Sequence, residues 1–336
     1  MTFHTYVGSH SGVCRLDGDS VEQLGLDGHR VSAIYARSDG NGNDVILAGT
    51  YGDGMYRSAD SGQTWEPANE GMTASAFRTI QDDPTSDGSI ICGTEPARAF
   101  RSADLGVSWQ GLDGIKEIDS VPDWYLPYSP RAGALRNFYS PPGENRRLLG
   151  AVEVGGLLES TDGGGDWRLI DVSPDDDIHY VTGHPTQTDL LYTALGWASL
   201  DRDRSRQTPP PLGGVGRSED SGRTWTKFHA DYTRAVIVPP ARHDLLLTAP
   251  AQRVGALGRI EVSSDGGESW EAAGNGLESP MDDMVELFVP APDDTIWAVC
   301  SGGRLLFSEP GPWLWRSPFA GDQPFKAEAV AFVTGS

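Results

Sequence analysis

Four cationic or near-cationic side chains stand inside apolar stretches at one recurring position. Arg78 (in Phe77-Arg78-Thr79-Ile80), Arg136, His179 and Arg234 coincide when their segments are aligned on the proline that follows each, Pro84 and Pro185 for instance. A second set coincides when the next segments are aligned on Gly-Thr or its equivalent: His10, Tyr51, Glu95 and Glu153. Guanidinium forks suit a carboxylate, sulfate or phosphate. Two glutamates beside them could serve as a general acid and base, with His179 as a third catalytic group. The same glutamates could equally be salt-bridge partners of Arg78 and Arg136. Asp177 and His179 lie two apart, hence on one face of a strand. With His10 and a glutamate they could hold a divalent metal, though no tight ligand spacing marks such a site.

Distant residues can meet only if the chain repeats, and it does. Residues 57–65 read RSADSGQTW, and near-copies stand at 101–109, 159–167, 217–225 and 262–270. Their shared core is Ser-x-Asp-x-Gly-x-(Thr/Ser)-Trp, relaxed only at Asp166. The closing tryptophans lie 44, 58, 58 and 45 residues apart, the length of a four-stranded propeller blade with additions in two of them. Ahead of each box come apolar runs of four to seven residues punctuated by Gly, Pro and Asp, which predict strands. No segment reads as a helix. Two degenerate copies, at 302–315 and 6–19, extend the series to seven, and FKAEAVAFV at 325–333 supplies the inner strand missing from the N-terminal copy. The expected fold is all-β. It is a seven-bladed β-propeller of four-stranded antiparallel blades spanning residues 1–336 as one domain. Pairing of the C-terminal strand with the N-terminal blade closes it, which removes exposed sheet edges.

The boxes resemble the Asp-box (BNR) repeats of sialidase-type propellers, a superfamily whose seven-bladed modules occur in sialidases, xyloglucan-degrading glycosidases, sortilin-type receptors and photosystem II assembly factors. AVEVGGLLES and DIHYVTGHP further resemble phrases in a group of uncharacterised prokaryotic Asp-box proteins, which implies no activity. A sialidase proper fits poorly. Phe77-Arg78-Thr79-Ile80 only echoes that family's early Phe-Arg-Ile-Pro-like motif and follows the first good box, and no Tyr/Glu nucleophile pair is found.

Each box is expected at the turn between the third and fourth strands of its blade. Its Gly gives the turn a positive φ, its Ser and Asp bond turn amides, and its Trp packs. Five equivalent catalytic aspartates would need five equivalent sites, so the boxes are frame. Chemistry is therefore expected on the opposite face. Two long inserts belong there, 111–133 and 195–214. The first holds Trp124, Tyr125 and Tyr128 between prolines, either an aromatic platform for a sugar or flat ligand or a loop packing its own rings. The second, charged and then Pro-rich, reads as a flexible lid.

Composition narrows the partners. The formal charge is −22, with 32 Asp against 16 Glu and three Lys against 23 Arg. An acid-rich, lysine-poor surface suits high salt, where repulsion is screened, and nothing basic clusters to neutralise phosphates, so nucleic acid is not expected. No run reaches membrane-span length, and MTFHTYVGSHSG lacks a signal-peptide pattern, so a cytoplasmic protein is expected. Cys14, Cys92 and Cys300 form neither a disulfide framework nor a zinc pattern and are expected to pack. Two functions stand side by side. One is a hydrolase, lyase or binder for a small anionic molecule or saccharide at the channel mouth. The other is a non-catalytic interaction or assembly-factor module with a protein partner. Fold alone does not choose between them.

Overall fold

In the computed structural model, residues 3–18, 20–118, 124, 133–170, 176–197 and 213–334 are described. They form seven antiparallel sheets that follow one another in sequence. The innermost strands are Val31–Ser38, Ala76–Asp82, Ala134–Tyr139, Ile178–Gly183, Tyr232–Ile237, Val285–Pro290 and Ala327–Thr334. The protein is a seven-bladed β-propeller. Closure follows the expectation: Ala327–Thr334 pairs with Phe3–Ser9, so the last strand of the chain opens the blade that the N-terminus continues. The blade begun by Val285–Pro290 has three strands, and its fourth position is reduced to a single bridge, Phe307 to Arg316. That is where the box loses its Asp and Gly to Pro310 and Pro312, and proline cannot donate to a ladder.

The second strands of the blades are almost wholly buried, as their continuous apolar runs dictate. Asp44–Thr50 and Leu148–Glu153 are buried at every position. Packing between blades then fills the space with one blade's apolar face against the next. Leu47, Met55, Phe77, Cys92 and Phe100, for example, share one cluster. All three cysteines are buried and unpaired. No helix among the described residues is long and apolar enough to cross a membrane.

The five boxes repeat one hydrogen-bond pattern at the turn between third and fourth strands, save that in the third Asp166 stands in place of Thr or Ser and has no hydroxyl to donate to Asp162. In the first, Ser58 Oγ donates to Asp60 Oδ1 (2.8 Å) and accepts from the Gly62 amide (2.8 Å). Asp60 then accepts from the Thr64 amide (2.9 Å) and hydroxyl (2.6 Å). Gly62 sits at φ 90°, a conformation costly to other residues. The Thr64 hydroxyl and amide lead in pulling the Asp60 carboxyl down to about 2. A carboxylate so fully engaged with its own turn is a structural cap.

One irregularity recurs at the other end of the blades. Each inner strand carries a register shift one or two residues in, and the residue at the shift is Ser32, Arg78, Arg136, His179, Arg234, Glu286 or Glu328. A β-bulge adds a residue to one strand and re-aims its side chain. Repeated seven times around the closed propeller, it turns seven side chains into the same opening.

Candidate functional site at the channel mouth

All seven bulge residues line one central cavity of about 450 Å³, together with His10 and Arg30. Ligand pockets typically run to about 300–1,000 Å³. Going around the ring, the order is Ser32, Arg78, Arg136, His179, Arg234, Glu286, Glu328. Position is sevenfold but chemistry is not: a cationic arc faces an acidic one.

The arginines are paired. Arg78 grips Glu95 through Nε (2.9 Å) and Nη2, and the Tyr51 hydroxyl donates to both Glu95 oxygens at 3.3 Å. The guanidinium groups of Arg78 and Arg30 lie over the Tyr51 ring, 4.5 and 4.9 Å from its centroid, an arrangement in which the ring quadrupole attracts both cations. Arg136 Nη1 donates to Glu153 Oε2 at 2.7 Å. Arg234 donates to Glu286, reaches Glu153 Oε1 at 3.4 Å and caps the Tyr232 hydroxyl through Nε at 2.8 Å. Across the ring, Glu328 accepts from Arg30 Nε (2.7 Å) and lies 2.5 Å from His10 Nε2. Four guanidinium groups thus meet four glutamates, so the mouth is compensated rather than strongly positive.

Burial alone would raise the Glu153 carboxyl. The attraction of Arg136, His179, Arg234 and Arg78 outweighs it and holds the group well below the usual carboxylate range. Glu286 is opposed by the same burial and is likewise lowered by Arg234 and Arg136. Burial would also lower Arg234, yet Glu286, Tyr232 and Glu153 keep it well above its ordinary value. A carboxyl held so low neither carries a proton to donate nor draws one strongly. Glu153 faces Arg136 and Arg234, and Glu95 is gripped by Arg78 and Tyr51.

The fold brings Arg78, Arg136, His179, Arg234 and His10 to the cavity wall, with Tyr51, Glu95 and Glu153 behind as their partners. Trp124 departs from the aromatic-platform expectation. It is 1% exposed and packs in the core with Ala97, Val152 and Leu158, against backbone left open by Gly133 and Gly155. An apolar ring near a gap between two glycines gains more from burial than from solvent. Tyr125 and Tyr128 lie outside the described residues, as do residues 198–212 of the expected lid. His10 is not a companion of Asp177 and His179; it faces Glu328 instead.

Sequence reasoning missed Ser32, Glu286, Glu328 and Arg30. The signal was present for two of them. Val285-Glu286-Leu287-Phe288 and Ala327-Glu328-Ala329-Val330 repeat the apolar–polar–any–apolar phrase of Phe77-Arg78-Thr79-Ile80. Aligning on the following proline hid them, because Pro290 comes only four residues after Glu286 and no proline follows Glu328.

No protein-family model matches the chain, and no curated relative matches it. Solved structures do. The chain is similar to the GH74 xyloglucanase of Xanthomonas campestris, with 17% identity, 98% of this chain and 52% of that one covered, and TM-score 0.69. It is similar to the GH74 enzyme of Niastella koreensis at 16% identity, with 98% and 51% covered and TM-score 0.61. It is also similar to Chaetomium thermophilum Sqt1, solved bound to the N-terminus of ribosomal protein L10, at 11% identity, with 91% and 81% covered and TM-score 0.55. The chain spans about half the length of these GH74 enzymes. At such identities the likeness establishes the architecture alone: the chain shares a β-propeller fold with the GH74 enzymes and with Sqt1.

Proposed function

We propose that this propeller binds a small anionic molecule, a sugar acid or another carboxylate or phosphate, at the bulge-lined mouth of its channel. One observation carries the reading. Arg136 spends Nη1 on Glu153, while its Nη2 comes no nearer to Glu286 than 3.8 Å, beyond hydrogen-bond reach, on the wall of a ligand-sized cavity. A guanidinium has five N–H donors, so Arg136 keeps donors for a ligand after its structural bond is made. Compensation by glutamates keeps the empty mouth stable. It also makes recognition depend on fork geometry rather than on net charge. Glu95 and Glu153 act in this reading as holders of the arginines. The conclusion is therefore binding, with no proton-transfer chemistry assigned to them.

Thermal-shift titration with glucuronate, inorganic phosphate, sulfate and a neutral xyloglucan oligosaccharide tests it. One of the anions should raise the melting temperature of the wild type, and Arg136→Ala should abolish that rise. Stabilisation by the neutral saccharide alone would refute an anion site. A flat response to every probe, with a defined protein partner bound instead, would establish the interaction-module alternative.

A further inference from the structure

His179 is the one member of the ring whose polar atoms have no proper partner. Its side chain is fully buried, and neither Nδ1 nor Nε2 makes a hydrogen bond. A buried imidazole left in that condition is costly. Two carboxylates stand beside it. Asp177 Oδ1 lies 3.4 Å from Nε2, and Glu153 Oε1 lies 4.0 Å from Nδ1. One ligand atom from each of Glu153, Asp177 and His179 falls within 4.8 Å of the other two, and all three residues are buried.

We propose that Asp177, His179 and Glu153 form a binding site for a first-row divalent transition-metal ion such as Zn²⁺ or Co²⁺. An aligned N–H···O bond brings nitrogen and oxygen to about 2.9 Å with the hydrogen pointing at the acceptor. Here the separation is wider and the alignment is lost. Metal ligands behave otherwise: their lone pairs converge on a third point, and neighbouring donors stand side by side. With metal–donor bonds of about 2.0–2.1 Å, the edge of a tetrahedron is about 3.4 Å. The Asp177–His179 spacing equals that edge.

Imidazole with carboxylates selects borderline ions over Mg²⁺ or Ca²⁺, which favour all-oxygen sets. The backbone makes room for the pair. A Cβ on Gly196 would stand 2.0 Å from Asp177 Oδ2 and 2.4 Å from His179 Nε2. The Val154 amide donates to Asp177 Oδ1 at 3.2 Å, which orients that carboxylate. Arg136 holds Glu153 Oε2, and Arg234 approaches Oε1. One ion takes only one ring nitrogen, and Glu153 stands on the Nδ1 side while Asp177 stands beside Nε2, so Glu153 is the weakest of the three ligands and Asp177 and His179 are the anchors. His179 also lines the channel cavity, the side from which an ion would enter. The site stands independently of what else the channel binds.

The test uses the full chain, stripped with a chelator and titrated with Co²⁺ alone. One equivalent should bind, with visible d–d absorption of low-coordinate character, and Zn²⁺ but not Mg²⁺ should displace it. Asp177→Asn, nearly isosteric, should weaken binding by at least about 10–100-fold, a loss already typical when only an outer-shell partner of a metal site is removed. His179→Ala should do the same, and if it fails to fold, Asp177→Asn decides. Absence of stoichiometric uptake by the wild type, or unchanged uptake in Asp177→Asn, overturns the assignment.

Discussion

At one end of the propeller, Asp60, Asp104, Asp162, Asp220 and Asp265 each accept from a residue four positions further along the same turn. At the other end, Glu95 and Glu153 reach arginines 17 residues away, and Glu328 reaches one 298 residues away. Both ends use carboxylates, and both are repeated by the fold. The box aspartates keep one residue type and one bonding pattern through five blades, and each closes its own loop. The mouth residues keep one position through seven blades and change type from blade to blade, and while Arg78–Glu95 and Arg136–Glu153 stay within a blade, the bonds of Arg234 to Glu153 and Glu286 and of Arg30 to Glu328 cross between blades. Where the repeat is kept in both position and chemistry, it builds the frame. Where position is kept and chemistry varies, the blades have been made unequal, as the proposed anion site requires.

The largest expected effect is at the mouth. Glu153→Gln removes the charge that faces both Arg136 and Arg234 in a buried setting, and breaking such a group should cost about 3–5 kcal/mol. Chemical denaturation should show it as a lower midpoint at an unchanged slope.

A medium effect comes from pH. Glu153 and Glu286 sit below their ordinary value of 4.5 in the folded protein. A depressed folded pKa contributes stability that is fully present above the unfolded value and is lost as pH falls through the folded one. Stability should therefore be flat near neutrality and decline below about pH 4.5. In Glu153→Gln the decline should be shallower. An equally steep decline in that variant would place the acid sensitivity elsewhere.

The smallest effects belong to the boxes. Ser102→Ala removes one donor to Asp104 and one acceptor for the Gly106 amide, and should cost about 1–2 kcal/mol. Ser58→Ala should cost a similar amount, and the two together should add, because the Ser58 and Ser102 hydroxyls have no bonding partner in common. Non-additivity between boxes would break the view of them as independent caps.

Much of the frame was legible in sequence because it repeats. The boxes set the blade period, and the third-to-fourth-strand turn followed from Gly62 and its counterparts. The closing strand could be placed because the N-terminal copy lacked one. The face carrying Arg78, Arg136, His179 and Arg234 was legible too, since a charged residue inside an apolar strand must find an opening or a partner. Pairing within a blade, Arg78 with Glu95 and Arg136 with Glu153, stood as one of two alternatives, but pairing between blades was not legible. Arg234 meets Glu286 and Glu153, and Arg30 meets Glu328, only after the ring closes, and no local pattern records which blades become neighbours across the channel. The bulges were equally hidden, because one extra residue in a short strand leaves the apolar rhythm nearly intact. Trp124 misled for a related reason: a tryptophan between prolines looks the same in sequence whether its ring faces a ligand or fills a gap beside Gly133 and Gly155.

A double-mutant cycle on Arg136 and Glu153 tests most directly whether the mouth is one connected unit. Arg136→Ala, Glu153→Gln and the double variant are unfolded under identical conditions. The predicted result is strong coupling, with the double variant losing less than the two single losses combined by at least about 1.5 kcal/mol, within the range measured for interacting pairs. Losses that add to within about 0.5 kcal/mol, as the box pair should, would contradict the account.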